Sequence, residues 1–98
     1  MKTVAITGAG GYLGSMLWHH FEAAGWTVTR LSHSAVAADG TVRFQLGEEV
    51  SPDLFRERSI GALVHCAYDF RPTGWADIHR INIDGSRKLL TAARAGQV

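Results

Sequence analysis

Residues 4–14 read V-A-I-T-G-A-G-G-Y-L-G, and this stretch decides the fold. A short apolar, β-prone run ends at Thr7, and glycines follow at positions 8, 10, 11 and 14. An apolar pattern with helical spacing then begins at Leu13. Strand, glycine turn and helix in this order place the N-terminus of a helix at the carboxyl end of a strand.

Three of these four glycines have a physical reason for their position. Gly8 permits the unusual backbone angles of a sharp strand-to-helix turn. Gly11 has no Cβ and lets a pyrophosphate approach the backbone, while Gly14 lets the helix pack closely on the strand. The spacing is T-G-x-x-G-x-x-G, because position 13 is Leu and not the third glycine of G-x-G-x-x-G. We interpret it as a dinucleotide-binding turn; the alternative is a glycine-rich turn that binds nothing.

Length and composition favour one small globular domain of 98 residues, of which 46% are apolar. The net charge of +1 comes with no basic stripe for nucleic acid, and no apolar run approaches the roughly 20 residues of a membrane span. We expect a cytoplasmic protein, because Cys66 is the single cysteine and Met1 leads into a strand without a cleavage site. No cluster has metal-ligand spacing, so we expect no metal site.

Apolar periodicity divides the chain into alternating strands and helices. The strands are predicted at residues 3–7, 26–31, 41–46 and 60–66. The helices are predicted at residues 11–24, 52–58 and 75–95. This alternation predicts an α/β fold, a doubly wound parallel sheet of the Rossmann type with strand order 3-2-1-4. The sheet is expected to be incomplete, with its later strands missing.

Each predicted helix has an apolar face. On the first helix, the inward face is predicted to comprise Leu13, Met16, Leu17, Phe21 and Ala24. On the last helix, it is predicted to comprise Ile78, Ile81, Gly85, Leu89 and Ala92. Trp18 is expected to point outward. Ser51 is expected to cap the short middle helix, which buries Leu54 and Phe55.

The end of the second predicted strand bears on the choice of cofactor. In a dinucleotide fold an Asp or Glu at this place, about 20 residues beyond the glycines, holds the adenine ribose 2′-hydroxyl. Here Ser32 and His33 occupy the place and Arg30 precedes them. Because no carboxylate repels a 2′-phosphate there, the sequence favours NADP over NAD. In the alternative interpretation, His33 and Ser34 are ordinary loop residues.

The chain ends before a Rossmann sheet would be complete. Such a sheet continues to a fifth and a sixth strand, whereas this chain ends at Val98, where the fifth would begin. The fourth strand would then be an apolar edge. We expect the chain to be part of a longer protein; the alternative is that a partner chain covers the edge.

Three segments and the spacing of the strands together resemble the extended short-chain dehydrogenase/reductase family, also called the NAD-dependent epimerase/dehydratase family. The segments are T-G-A-G-G-Y-L-G at 7–14, V-H-C-A at 64–67 and N-I-D-G-S at 82–86. The second is similar to the family's V-I-H-x-A segment and the third to its N-x-x-G-T segment. The resemblance covers the whole chain and implies its N-terminal, cofactor-binding portion.

The resemblance implies a set of cofactor-binding positions. This set comprises Gly8, Gly11, Tyr12, Leu13, Gly14, Ser32, His33, Gln45, Leu46, Cys66, Ala67, Tyr68 and Asn82. By the same resemblance, Tyr12 and Leu13 would present backbone N–H groups to the pyrophosphate. Residues 32–33 would lie beside the adenine ribose. Residues 66–68 would line the nicotinamide-side ribose and the inner phosphate, and Asn82 would support the geometry of the active-site strand.

The family's Asp-Leu or Asp-Ile pair beside the adenine has no identical counterpart here. It corresponds to Gln45-Leu46 or, with a shift, to Gly47-Glu48. If Gln45 takes the place of the acid, its amide carbonyl can still accept a hydrogen bond from the adenine amino group.

The family's catalytic Tyr-x-x-x-Lys pair is not in this sequence. Its only tyrosines are Tyr12 and Tyr68, and four residues beyond them stand Met16 and Pro72. No catalytic residue is therefore predicted in this chain, which by itself is expected to be inactive. The full protein is expected to transfer a hydride between the nicotinamide and a sugar-nucleotide, alcohol or ketone substrate. The alternative is an NAD(P)-sensing module without catalysis.

Two further expectations concern contacts beyond the cofactor. Asp69 and Arg71 lie in the loop after the fourth strand; they either contact substrate or form a solvated pair. Members of the family often form homodimers through helices that include the last one here or lie beyond it, and the sequence leaves the oligomeric state open.

Overall fold

Four strands form one parallel sheet in the computed structural model, which describes residues 2–33 and 40–98. They are β1 (Thr3–Thr7), β2 (Thr27–Ser32), β3 (Thr41–Arg43) and β4 (Ala62–His65). The strand order is β3-β2-β1-β4, which confirms the predicted Rossmann-type topology. Ser34, named in the alternative interpretation of the second strand's end, lies outside the described residues.

The central strand is β1, and all five of its residues are buried. Successive side chains of a strand point to opposite faces of the sheet. Accordingly, Val4 and Ile6 belong to one apolar cluster and Ala5 to the other. Thr7, the last residue of β1, pairs with Leu31 of β2 and with His65 of β4. The carboxyl ends of these strands therefore meet at one edge of the sheet.

Helices cover both faces of the sheet. They are α1 (Tyr12–Ala23), α2 (Asp53–Arg56), α3 (Trp75–Ile78), a π-helical segment (His79–Asp84) and α4 (Gly85–Ala95). The predicted last helix is thus one helical stretch whose middle part is π-helical and therefore wider than an α-helix. Such π-helical segments occur often at functional sites. Within the described residues, no helix is both long and apolar enough to cross a membrane.

The predicted inward face of α1 is partly wrong. Leu17 and Phe21 pack on the sheet as expected, but so does Trp18, which was expected to point outward. Leu13 and Met16 are instead 58% and 55% exposed, and Ala24 is also exposed. The reason is Gly14, which is buried against the glycine turn. With position 14 nearest the turn, positions 17, 18 and 21 follow on the same helical face.

The boundaries of several elements differ from the predictions. The third strand ends at Arg43 and not at residue 46, because a turn follows in which Gly47 has φ +100°. β4 is shorter than residues 60–66, and its residues are half-buried because in the described part of the chain it pairs with β1 alone. The short helix covers only Asp53–Arg56, and its N-cap is Pro52 and not Ser51 as predicted, although the Ser51 hydroxyl accepts a hydrogen bond from the Asp53 N–H at 3.2 Å.

The last helix packs on the sheet through small residues. Gly85, Leu89 and Ala92 are buried as predicted, and Asn82 and Ala93 are buried with them. A Cβ at Gly85 would lie 2.6 Å from the backbone nitrogen of Gly47. The helix therefore lies directly against the turn after β3. In α2, Phe55 is fully buried and Leu54 packs against the same core, as predicted.

Candidate functional site

The glycine turn at the end of β1 is tightly packed. Gly8 has φ +67°, and its carbonyl accepts a hydrogen bond from the Gly11 N–H at 2.9 Å. A Cβ at Gly14 would lie 2.1 Å from the Gly8 carbonyl oxygen, and one at Gly8 would lie 3.0 Å from the Ala67 nitrogen. The turn therefore contacts both the first helix and the end of β4 without space for a side chain.

The N-terminus of α1 is available to an anion. Gly11 is its N-cap, no side chain caps it, and within the described residues its first turn holds no acidic side chain. The first N–H groups of a helix have no partners within the helix, and its dipole is positive at this end. Backbone donors therefore point from the turn toward the carboxyl edge of the sheet.

A cleft of about 360 Å³ opens at this edge. It is lined by Gly8, Gly10, Gly11, Leu31, Ser32, His33, Phe44, Gln45, Leu46, Ala67, Tyr68, Asp69 and Arg71. The turn after β1, the ends of β2 and β3, and the loop after β4 all contribute. The strand order explains this, since the carboxyl ends of parallel strands lie at the same edge. A larger groove of about 600 Å³ lies elsewhere, between residues 49–52 and α4.

Most residues predicted to contact a cofactor line this one cleft. They are Gly8, Gly11, Ser32, His33, Gln45, Leu46, Ala67 and Tyr68. The early end of β3 does not disturb this, because the Phe44 N–H still bonds to the Ser32 carbonyl at 2.9 Å. Residues 45 and 46 therefore lie beside the end of β2 although they are no longer in a strand.

The other predicted positions lie next to the cleft without lining it. Tyr12 is 86% exposed, as the first residue of α1, and Leu13 follows it. Gly14 is buried behind the turn, and the Cys66 N–H is bonded to Thr7. For Tyr12 and Leu13 the prediction concerned backbone N–H groups, which belong to the uncapped first turn of α1.

Asn82 acts on the cleft through the loop after β4. Its side-chain carbonyl accepts a hydrogen bond from the Asp69 N–H at 2.7 Å, and its amide group donates to the Asp69 carbonyl at 3.0 Å. Both ends of this buried amide are thus occupied by one residue of the loop. The π-helical segment carries Asn82 at the position that meets Asp69. The cofactor contact predicted for Asn82 stays a prediction.

An ion pair stands at the mouth of the cleft. Arg71 donates to both carboxylate oxygens of Asp69, from Nε at 2.9 Å and from Nη2 at 2.8 Å, and its backbone N–H also bonds to that carboxylate. These hydrogen bonds lower the pKa of Asp69 to about 2, against the opposing effect of burial. The ion pair holds the Arg71 side chain, which is 75% exposed, at the cleft.

A hydrogen-bonded network joins three elements behind the cleft. Thr7 Oγ1 accepts hydrogen bonds from the N–H groups of Cys66 at 3.0 Å and Ala67 at 3.1 Å. It also lies 2.6 Å from Nδ1 of His65, whose Nε2 is 2.8 Å from Ser86 Oγ. The Ser86 hydroxyl donates to the Asn82 carbonyl at 2.6 Å. We call these residues, Thr7, His65 and Ser86, the threonine–histidine–serine network.

The environment of Cys66 does not favour a nucleophilic thiolate, and the described residues hold no metal centre. Burial raises the pKa of the Cys66 thiol, which disfavours a thiolate. Both ring nitrogens of His65 are bonded to hydroxyl groups and not to this thiol. Within residues 2–33 and 40–98, no group of three His, Cys, Asp or Glu side chains is placed to hold a metal ion.

Some residues that line the cleft were not predicted from the sequence. Leu31 and Phe44 lie at the ends of the second and third strands, are buried, and form its apolar wall. Their place near the carboxyl ends of strands is the feature from which they could have been predicted. Gly10 was counted in the motif but given no role, and a Cβ there would meet no described atom within 4 Å. The side of the turn that faces the cleft thus has open space.

A family model confirms the predicted family. The model of the NAD dependent epimerase/dehydratase family matches residues 4–98, which is nearly the whole chain. A search of curated proteins finds no match.

Solved structures share the fold at low sequence identity. The UDP-glucose-4-epimerase of Stenotrophomonas maltophila was solved with bound NAD and formylated UDP-arabinopyranose. Its TM-score is 0.78 at 21% identity, with 100% of this chain and 35% of that one covered. The Bordetella bronchiseptica enzyme WbmH, solved with NAD+, has a TM-score of 0.79 at 23% identity, with 100% of this chain and 36% of that one covered. The chain therefore spans little more than a third of these proteins.

A third structure extends the comparison to a dehydrogenase. The uronate dehydrogenase of Agrobacterium tumefaciens has a TM-score of 0.71 at 24% identity, with 97% of this chain and 37% of that one covered. At such identities the likeness establishes the fold, and the family model establishes the family.

Proposed function

This chain belongs to the NAD-dependent epimerase/dehydratase family, and from that premise we propose that its cleft binds a nicotinamide dinucleotide, NAD or NADP. One observation carries the proposal. The uncapped N-terminus of α1 and the glycine turn open into the same cleft as the ends of β2 and β3. Backbone N–H donors for a pyrophosphate and apolar side chains for an adenine thus lie in the same cleft.

The residues of the cleft divide into two chemical groups. Backbone N–H groups of the turn and of the first turn of α1 would hold the pyrophosphate, and the absence of a Cβ at Gly10 and Gly11 leaves the room it needs. Leu31 and Phe44 would contact the adenine, with the Gln45 amide as a polar partner at its edge. Ser32 would bond to the adenine ribose. A nicotinamide ring supplies the hydride acceptor or donor when the cofactor is bound.

The proposal includes a preference for NADP. Within the described part of the cleft, the residues at the end of β2 are Ser32 and His33, and neither is a carboxylate. A 2′-phosphate would meet no carboxylate at these two positions, which supports the preference. Two of the structures named above were solved with NAD, at identities too low to transfer the choice. Comparing NADH and NADPH affinities decides it.

For the whole protein we propose hydride transfer on a small-molecule substrate that is a sugar-nucleotide, an alcohol or a ketone. The family supports this, and proteins of similar fold have been solved in complex with UDP-glucuronic acid and with UDP-glucose. The chain would be the N-terminal cofactor portion, with proton-transfer residues and most of the substrate site elsewhere. Cytoplasmic location and a homodimer remain predictions.

A second candidate is a dinucleotide sensor without catalysis. Met16 and Pro72 stand four residues beyond the two tyrosines of this chain, so the Tyr-x-x-x-Lys pair that distinguishes the two candidates has to be sought in the intact protein. A Tyr-x-x-x-Lys pair in the intact protein would support the enzyme, and turnover of NAD(P)H with a sugar-nucleotide would establish it.

The proposed binding is tested by titrating the chain with NADH and NADPH, followed by nicotinamide fluorescence and by calorimetry. Gly11→Asp is the informative variant, because an aspartate at the N-cap accepts the N–H groups of α1 and brings a negative charge to the pyrophosphate position. We expect binding to weaken at least tenfold while the helix is retained.

Gly74→Asp is the matched control. It introduces the same residue at the N-cap of α3, where a Cβ would meet no described atom within 4 Å and the cleft is not involved. We expect its dinucleotide affinity to equal that of the unmodified chain. Equal weakening in both variants, or no saturable binding by the folded chain, would contradict the proposal.

A further inference from the structure

The hydroxyl of Thr7 has a fixed orientation. Thr7 is fully buried, and its Oγ1 accepts the N–H groups of Cys66 and Ala67. A hydroxyl has two acceptor sites and one hydrogen, so both acceptor sites are used. The hydrogen must therefore point at the remaining neighbour, which is Nδ1 of His65 at 2.6 Å.

The Thr7 hydroxyl in turn decides the tautomer of His65. Since Nδ1 accepts the hydroxyl hydrogen, the ring proton is on Nε2, where it donates to Ser86 Oγ at 2.8 Å. The Ser86 hydrogen is committed to the Asn82 carbonyl. The hydrogens of the threonine–histidine–serine network are thus assigned, and the bond in which Nδ1 accepts the Thr7 hydrogen requires a neutral histidine.

Protonation of His65 would reverse one bond of the network. A hydrogen on Nδ1 would face the Thr7 oxygen, whose acceptor sites are both occupied. Thr7 would then have to release the amide of Cys66 or Ala67, or the ring would have to move away. Ala67 lines the cleft, and its nitrogen packs against Gly8 of the turn. A proton on Nδ1 would therefore either loosen the backbone of residues 66–67 at the pyrophosphate end of the cleft or separate the ring from Thr7.

We propose that His65 is a positioning residue of the dinucleotide cleft, which accepts the Thr7 hydrogen at Nδ1 and thereby keeps the Cys66–Ala67 backbone against the glycine turn. Dinucleotide binding then requires the neutral ring and weakens on acidification. The inference rests on the proposed function, because it specifies what the same cleft needs in order to bind.

The surroundings of His65 agree with a neutral ring. Burial lowers the pKa of His65, and no charged side chain of the described residues contributes to the shift. The groups that face it are the Thr7 hydroxyl from β1 and the Ser86 hydroxyl from α4; the titratable neighbour on its own segment is the Cys66 thiol. His33 and Asp69 belong to the cleft and not to the network.

The experiment measures NADH affinity between about pH 7.5 and pH 5.5 in chains that carry His33→Asn, so that no imidazole remains at the end of β2 in the described part of the cleft. The comparison is between His65 and His65→Asn in this background. The asparagine Oδ1 takes the approximate place of Nδ1 and accepts the Thr7 hydrogen, but it does not titrate. We expect affinity to fall about fivefold with a histidine at position 65 and to stay constant with asparagine.

A second measurement needs no variant and no ligand. Nitrogen-15 chemical shifts of the histidine rings at about pH 7.5 report which nitrogen of His65 carries the proton. We expect protonated Nε2 and unprotonated Nδ1. The opposite tautomer, an NADH affinity that does not change with pH, or an equal pH dependence with asparagine would overturn the role of His65.

Failure of the proposed function is distinguishable from failure of this inference. A folded chain that binds no NADH at about pH 7.5 overturns dinucleotide binding and, with it, the positioning role. Binding at that pH without the expected pH dependence overturns only the role of His65 and leaves the proposed function standing.

Discussion

The two ends of the cleft are built differently. The end beside β1 consists of backbone: Gly8, the N-terminus of α1 and the amides of residues 66–67, which buried hydrogen bonds hold in place. The end beside β2 and the loop after β4 consists of side chains that are partly or largely exposed, among them His33, Tyr68 and Arg71. Backbone donors recognise any pyrophosphate, whereas side chains distinguish one nucleotide from another. We therefore expect substitutions at the first end to affect folding and binding together, and substitutions at the second to affect ligand choice.

The largest effect is expected from Gly14→Ala. Its Cβ would lie 2.1 Å from the Gly8 carbonyl oxygen, so α1 or the turn would have to move. We expect a loss of about 3 kcal/mol or more in the free energy of unfolding, together with loss of NADH binding. Denaturant unfolding and calorimetry measure the two. Gly10→Ala, which meets no described atom within 4 Å, is the control; equal stability of the two variants would refute the packing described for α1.

The next largest effect, on stability, is expected from loss of the two hydrogen bonds between Asn82 of the π-helical segment and the loop after β4. Asn82→Ala would leave the N–H and carbonyl of Asp69 without their side-chain partner. We expect a loss of about 2 kcal/mol in the free energy of unfolding, because these backbone groups are partly buried. Denaturant unfolding measures it. Thr91→Ala, an exposed position on the same helical stretch, should change stability by less than about 0.5 kcal/mol.

A smaller effect, on ligand choice, is expected from Arg71→Gln. Arg71 holds a positive charge at the mouth of the cleft, and removing it should weaken NADPH about threefold and NADH less. Calorimetry at low and high salt measures this, and the difference should diminish at high salt. Arg80→Gln removes an equally charged side chain that pairs with Asp77 away from the cleft. Identical changes in NADPH affinity for the two substitutions would contradict a contribution of Arg71 to ligand choice.

The smallest effect is expected in the acid dependence of stability. The pKa of Asp69 is about 2 in the folded chain, below its ordinary value of 3.8, mainly because Arg71 donates hydrogen bonds to the ionised form. A depressed pKa stabilises the fold above the ordinary value, and this stabilisation is lost as pH falls from about 4 toward 2. The free energy of unfolding should thus fall less steeply in this range for Arg71→Gln. An unchanged slope would show that the pair contributes nothing to stability.

The backbone end of the cleft could be predicted from the sequence, and the side-chain end only in part. The turn at residues 7–14, the strand order and the positions of Ser32 and His33 follow from local patterns, because glycine spacing and apolar runs determine them. Leu31 was missed although it ends the second predicted strand, and Phe44 was missed because the third strand was predicted to continue to residue 46. The inward face of α1 was misjudged because Gly14, the smallest residue, takes the closest position, and apolar periodicity gives no weight to a glycine.

The contacts of Asn82 and His65 could not be predicted, because they depend on distances between elements far apart in the chain. Asn82 meets Asp69 only through the π-turn at His79–Asp84, and no residue pattern indicated that turn. His65 lies beside Cys66 in the sequence, but its partners are Thr7 and Ser86. Which hydroxyl faces which nitrogen is a matter of tertiary packing.

The most direct test of the account is an NMR titration of the nitrogen-15-labelled chain with NADH. We predict that the largest amide shifts occur at Gly11, Tyr12 and Leu13, with further shifts at Ser32 and Ala67, since these positions surround the pyrophosphate and ribose places of the cleft. Saturation without shifts at residues 11–13, or shifts confined to the groove between residues 49–52 and α4, would contradict the assignment of the glycine turn as a dinucleotide site.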